Sequence, residues 1–155
     1  MKTKIAIFTK AEYSKEMNDI VALLKADDRF DIFEIEDGKN IPSDCSNLIV
    51  FGGDGTVLEA VKDVREDVVV TGVNIGNLGF LTQFEKDSSA SEIANGILEG
   101  KVEKRATLDV RFDDFCGKAL NEIVLKSATS RPIYIGVYVD GKFVDSYHSD
   151  GAIVS

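Results

Sequence analysis

The sequence predicts an α/β protein, with a doubly wound parallel sheet over residues 1–102 and the start of an all-β C-terminal domain over residues 103–155. Three observations carry that prediction. Up to about residue 100, short apolar runs alternate with segments whose apolar residues recur at helical spacing, as in a parallel sheet with crossover helices. The stretch Leu48-Ile49-Val50-Phe51-Gly52-Gly53-Asp54-Gly55-Thr56 places a buried strand directly before a glycine turn and a helix start. From around Val102 to Thr107 the period changes to two. The first domain is Rossmann-like in this alternation, and the second is not.

Ile5-Ala6-Ile7-Phe8 is the first buried strand. Met17, Ile20, Val21 and Leu24 share one helical face, so a helix runs from about Glu12 to Ala26. Phe30 to Ile35 alternates apolar with acidic residues, a second strand near a sheet edge. Gly38 to Asp44 is loop, and Leu48 to Phe51 is the third strand. Val57, Leu58, Val61 and Val64 then mark a helix from Thr56 to Val64. Val68-Val69-Val70, the fourth strand, runs into a second glycine loop, Gly72 to Leu81. Asp87, Ser88 and Ser89 open a helix that buries Ile93, Ile97 and Leu98 and ends at Gly100. In the β region, Leu108, Val110 and Phe112 alternate with Asp109, Arg111 and Asp113, a strand with one wet face. A turn at Gly117-Lys118 leads into a strand from Ala119 to Leu125. Ile133, Ile135, Val137 and Val139 alternate into Asp140-Gly141, a strong hairpin signal, and Phe143 to Tyr147 returns. Gly151 to Ser155 begins another strand, whose open edge favours assembly or insolubility.

Composition narrows the function. A hydrophobic share of 44% and a charged share of 29% are ordinary for a soluble globular protein, and 155 residues suit one domain or a small domain with part of another. The net charge of −9 argues against a nucleic-acid partner. It also means that a phosphate-rich ligand must be held by local donors and a metal. Cys45 and Cys116 are too few and too far apart for a thiolate metal site or a redox pair, so reduced thiols and a cytoplasmic setting are expected. No apolar run is long enough to span a membrane, and the N-terminus lacks a signal peptide's apolar region. A Walker A lysine motif and a Gly-x-Gly-x-x-Gly fingerprint are both missing, which argues against a P-loop enzyme and a nicotinamide-dependent dehydrogenase.

The turn around Asp54 is the chemical centre. Backbone N–H groups at a helix start can point at an anion, and glycine lets a phosphate come close. A carboxylate in that nest would repel the phosphate. It makes sense if Asp54 takes a proton from an attacking hydroxyl or holds a metal. The bland alternative is a tight turn in which Asp54 caps the helix and the glycines fit positive φ. Three glycines around one acid favour a site. Elsewhere, Gly76 and Gly79 read locally as a tight loop under the sheet's C-terminal edge. Phe80 and Leu81 read as core or inter-domain packing, although a ring there could face an adenine. Asn121 and Glu122, adjacent on a strand, would point to opposite faces. His148 alone is a surface histidine, and Arg131 before Pro132 is a loop residue.

In order, Gly52-Gly53-Asp54-Gly55-Thr56, Asn74-Ile75-Gly76-Asn77-Leu78-Gly79-Phe80-Leu81, Leu120-Asn121-Glu122 and Asp150-Gly151-Ala152-Ile153-Val154-Ser155 resemble the NAD kinases. The first motif is shared with diacylglycerol, sphingosine and related lipid kinases, and loosely with phosphofructokinases. The second loop and the Asn-Glu pair are much more specific. The resemblance spans essentially the whole chain. It implies an α/β domain packed on a β-rich domain with the nucleotide between them. The activity it implies is phosphoryl transfer from ATP, or polyphosphate in some members, to the 2′-hydroxyl of the adenosine ribose of NAD. Mg²⁺ or another divalent ion would assist. By motif, Asp54 resembles the general base, with Gly55 the backbone contact beside it. Gly52, Gly53, Thr56, Asn77 and Phe80 are implied nucleotide contacts. Asn121 and Glu122 resemble NAD-binding groups, and Asp150 resembles the acidic residue that holds a nucleotide ribose or amide. Arg131 and His148 sit where relatives often place a basic or polar nucleotide contact. No metal ligand is identified, and a homodimer or homotetramer is implied.

Two departures stand out. Glu59 occupies a position where relatives often carry Lys or Arg. Relatives also continue past the Asp-Gly strand into a Thr-Pro-Thr-Gly-Ser-Thr-Ala-Tyr segment, whereas this sequence stops at Ser155, so the chain is expected to be incomplete. Two other function classes compete. A lipid kinase would need apolar surface near the cleft and a basic patch for membranes, against which the acidic balance counts. A non-catalytic nucleotide-binding module gains weight from the missing segment.

Overall fold

The computed structural model describes residues 2–10, 15–36, 40–76, 79–129 and 131–155. It divides into two compact units, Met1–Lys104 and Arg105–Ser155. In the first unit, β1 (Thr3–Thr9), β2 (Phe30–Ile35), β3 (Asn47–Phe51) and β4 (Val69–Val73) form one parallel sheet in the order β2-β1-β3-β4. The continuous apolar runs are the two central strands, with Ile5, Ala6, Ile7, Leu48, Ile49, Val50 and Phe51 fully buried. The alternating run, β2, lies at an edge with Asp31 and Glu34 exposed, as its pattern predicts.

Three helices flank the sheet: α1 (Lys15–Ala26), α2 (Asp54–Val61) and α3 (Ala90–Glu99). Period-two alternation sends Ile5, Ile7, Ile49, Phe51 and Val73 to one face, where they form a core with Met17, Val21 and Leu24 of α1 and Ala90, Ile93 and Ala94 of α3. Ala6, Leu48 and Val50 point to the other face, and α2 packs against β3 with Val57 and Ala60 buried outside that core. Helices on both faces make the sheet doubly wound.

Local chemistry explains where these elements differ from expectation. The predicted start of α1 overlaps residues 11–14, outside the described residues. The second helix ends at Val61 rather than Val64, and the chain then turns to set the Arg65 guanidinium on the carbonyls of Ile41, Pro42 and Cys45, at 3.2, 3.3 and 2.9 Å. β4 runs on through Gly72, which the sequence placed in the loop. A Cβ at Gly72 would stand 3.0 Å from Leu81 O and Thr82 Cα, so glycine lets the returning chain lie against the strand. That chain covers the β4 edge, with Gln83 N and Phe84 N donating to Gly72 O at 2.9 and 3.2 Å. Leu98, expected on the buried side of α3, is 39% exposed, because Ala90, Ile93, Ala94 and Ile97 make the buried stripe and Leu98 lies at its flank.

The helix start expected at Asp87, Ser88 and Ser89 is a capping box at Ser89. Ser89 Oγ accepts from Glu92 N at 3.2 Å, and Ser89 N donates to Glu92 Oε2 at 2.8 Å. Ser89→Ala should cost about 1 kcal/mol, read as a lower urea midpoint at an unchanged denaturant slope.

The second unit contains β5 (Leu108–Phe112), β6 (Phe115–Ala119), β7 (Ile123–Lys126), β8 (Ile133–Val139), β9 (Lys142–Ser149) and β10 (Gly151–Val154). They pair as three antiparallel ribbons, β5–β6, β7–β10 and β8–β9. The first turn is at Asp113-Asp114, not at Gly117-Lys118, which lies inside β6. Aspartate tolerates the left-handed region, and Asp113 takes it at φ +47°. Asp140-Gly141 forms the expected hairpin turn, with φ +50° and +73°. None of this unit's described residues is buried.

Candidate functional site

The strand order decides where a ligand can enter. From β1 the chain passes to β2 on one side, then crosses to β3 on the other side of β1 and on to β4. The carboxyl ends of β1 and β3 therefore flank the switch point at which open α/β sheets bind ligands. The glycine turn around Asp54 leaves β3 at that edge.

Gly52 N donates to Val73 O at 3.0 Å, one ladder bond beyond β3. A Cβ on Gly52 would collide with the Thr56 side chain. Gly53 is the helix N-cap at φ −92°, and its carbonyl accepts from Thr56 N and Val57 N at 2.9 and 3.2 Å. Asp54 is thus the first residue of α2 and makes no side-chain cap, which corrects the capping alternative. The positive-φ alternative is corrected as well, since Gly141 is the positive-φ glycine among the described residues. Glycine serves close approach in this turn. A Cβ at Gly53 or Gly55 would meet nothing within 4 Å, so that side of the turn is open to a ligand.

The half-buried Asp54 carboxylate turns to the second glycine loop instead. Phe80 N donates to Oδ2 and Leu81 N to Oδ1, each at 2.9 Å. A Cβ at Gly79 would stand 2.5 Å from Oδ1, so only glycine fits against the acid. A carboxylate has about four lone-pair sites and two are used, which leaves capacity for a substrate hydroxyl.

Asn74 anchors the start of the second loop, a role that sequence reasoning missed. It is fully buried, accepts from Gly76 N at 3.0 Å and donates to Glu85 Oε2 at 2.9 Å. An Asn between the apolar residues Val73 and Ile75 was the available signal, because a buried amide needs partners. Thr82 was also missed; its hydroxyl is buried and has no hydrogen-bond partner among the described residues. Leu81 packs inside as expected, but Phe80 is 87% exposed and is not core. Asn77 lies outside the described residues.

Electrostatics beside the turn are balanced locally. Glu59 on α2 pairs with Lys62 at 3.0 Å and with Lys10, just past β1, at 3.6 Å. The Lys62 hydrogen bond, helped by the Lys10 charge, holds the Glu59 carboxyl below its ordinary range. Two lysines thus offset the Glu59 charge.

In the second unit, Asn121 and Glu122 lie in the bend between β6 and β7, both exposed, rather than on a strand with opposed side chains. His148 is exposed on β9 and stacks on Tyr134 with ring centroids 4.5 Å apart. Asp150 sits between β9 and β10, where its carbonyl accepts from Ser127 N at 2.7 Å. It lines an open polar cavity of about 540 Å³ with Lys126, Ser127, Ala128 and Thr129. Arg131 is exposed, its backbone N donating to Thr129 Oγ1 at 3.3 Å. Among the described residues no three His, Cys, Asp or Glu side chains are placed to hold a metal ion, and no helix is long and apolar enough to cross a membrane.

The sequence profile of the ATP-NAD kinase N-terminal domain matches residues 4–102. An NAD kinase of Fusobacterium nucleatum is 38% identical over 128 residues, which cover 79% of this chain and 47% of that protein. The crystal structure of an NAD kinase from Archaeoglobus fulgidus in complex with ATP superposes with a TM-score of 0.76 at 24% identity, covering 97% of this chain and 59% of that one. Yeast NADH kinase complexed with NADH gives 0.77 at 17% identity, covering 98% and 57%. At these identities the two structures speak for the fold. The chain spans about half the length of the curated relatives it matches. With a profile matched across most of its length, the chain belongs to the ATP-NAD kinase family.

Proposed function

We propose that the protein, in the full product of its gene, is an NAD kinase that transfers a phosphoryl group from ATP or polyphosphate to the 2′-hydroxyl of the adenosine ribose of NAD. The observation that carries this reading is the Asp54 carboxylate at the sheet's switch point, aimed by Phe80 N and Leu81 N. Phosphoryl transfer needs little covalent help from the protein; it needs positioning, charge neutralisation and a base for the attacking hydroxyl. In this reading Asp54 takes the 2′-hydroxyl proton, and the N–H groups along Gly53 and Gly55 face the phosphates. The exposed Phe80 ring stacks on a base. Asn121, Glu122, Arg131, His148 and Asp150 contact NAD.

In this reading the divalent ion is Mg²⁺, which keeps its waters and is held chiefly by the substrate phosphates. Bound there, the ion would neutralise phosphate charge. The reading also has the enzyme work in the cytoplasm as a homodimer or homotetramer. Family membership counts against the lipid-kinase alternative.

The test is NADP formation from NAD, ATP and Mg²⁺ by this chain and by the full gene product, each beside Asp54→Asn. Activity in the longer protein that Asp54→Asn abolishes is the expected result. If both forms are silent while NAD still binds, the non-catalytic binding module takes its place.

A further inference from the structure

Thr82 Oγ1 is buried with no hydrogen-bond partner among the described residues, a destabilising arrangement that valine of the same shape would avoid. Its surroundings give a reason to keep it. The point where a Gly79 Cβ would stand is 2.9 Å from Thr82 Oγ1 and 2.5 Å from Asp54 Oδ1, so hydroxyl and carboxylate crowd the same side of one glycine. The Thr82 methyl is fixed on its other side, 3.2 Å from where a Gly72 Cβ would stand.

The two groups that hold Asp54, Phe80 N and Leu81 N, can only donate. They suit both oxygens of a carboxylate and offer nothing to the new O–H of a carboxylic acid, which needs an acceptor. A hydroxyl can donate to the first form and accept from the second. We propose that Thr82 is a positioning residue whose hydroxyl meets Asp54 during turnover and accepts the hydrogen bond of the proton that Asp54 has just taken. The step balances within the phosphoryl transfer. The 2′-oxygen forms its bond to phosphorus, the bond from phosphorus to the donor's leaving phosphate breaks, and the 2′-hydroxyl proton moves to Asp54. Thr82 changes its hydrogen bond and not its protonation.

This inference rests on the reading of Asp54 as the base. Thr82→Val and Thr82→Ser would be made in the full gene product and compared with wild type and Asp54→Asn for kcat, KM and thermal midpoint. The expected result is a kcat about tenfold or more lower in Thr82→Val with KM for NAD unchanged, while its melting temperature rises. Thr82→Ser should keep kcat within about twofold of wild type. A role in packing alone would move stability and leave the kcat ratio of the two variants near one. Full activity in Thr82→Val, or an equal loss in Thr82→Ser, overturns the inference. If Asp54→Asn stays active, the base reading itself fails. If Asp54→Asn is dead and Thr82→Val is fully active, only the Thr82 inference fails.

Discussion

Asp54→Asn in the full gene product should lower NADP formation about a hundredfold or more, the usual scale for a positioned base. The structure adds a second component. Asparagine keeps the size of the side chain but replaces one acceptor with an NH₂ group, so either Phe80 N or Leu81 N then faces a donor. The loop grip weakens along with the chemistry, because one of its two bonds, the exposed one at Phe80 N or the part-buried one at Leu81 N, is lost. Kinetics and urea unfolding should therefore be measured on the same samples, with a lower midpoint accompanying the lost rate. Sustained NADP formation by Asp54→Ala, which lacks both the base and the acceptors, would remove Asp54 from the chemistry altogether.

Gly79→Ala should have the second largest effect, although it touches no reacting atom. One methyl group would stand 2.5 Å from Asp54 Oδ1 and 2.9 Å from Thr82 Oγ1, so the loop must back away from the carboxylate. Overpacking of this kind costs about 1–3 kcal/mol, and an ångström of misplacement in a catalytic group can cost roughly a hundredfold in rate. Gly79 has no positive φ, so the effect is steric and not a matter of backbone strain. Gly55→Ala is the matched control, since its Cβ meets nothing within 4 Å and should leave the urea midpoint alone. An unchanged kcat in Gly79→Ala would show that the second loop does not set the position of Asp54.

What was legible in the sequence is what local chemistry decides. The runs at Ile5–Phe8 and Leu48–Phe51 read as buried strands, and Asp87, Ser88 and Ser89 marked a helix start. Asp140-Gly141 fixed its hairpin for the same reason. What stayed hidden depends on contacts between distant residues. Asp54 sits three residues past its strand, but the groups that aim it, Phe80 N and Leu81 N, come from another loop. The bland alternative gave the glycines of the first turn to positive φ, whereas Gly52, and Gly79 in the second loop, serve close approach to side chains. The turn at Asp113-Asp114 lost to Gly117-Lys118 because glycine is the stronger local signal, whereas strand pairing chose the acidic pair. Asn74 gave one local signal, a polar residue between Val73 and Ile75, whereas Thr82 gave none and is marked by its burial alone.

The second unit, with no buried residue among those described, has a calorimetric meaning. The heat capacity of unfolding grows with the apolar surface that unfolding exposes, about 12–15 cal/mol/K per residue in an ordinary domain. Ribbons in which Val110, Ile123, Ile133, Ile135 and Val137 are half-buried and no described residue is buried have less left to expose. The increment for this chain thus belongs chiefly to residues 1–104, about 1.2–1.6 kcal/mol/K, and not to all 155, which at the same rate would give about 1.9–2.3 kcal/mol/K. Its free energy then bends less with temperature than its length suggests. The Rossmann-like sheet thus sets most of the thermal response of the chain, and the β ribbons add the smaller share.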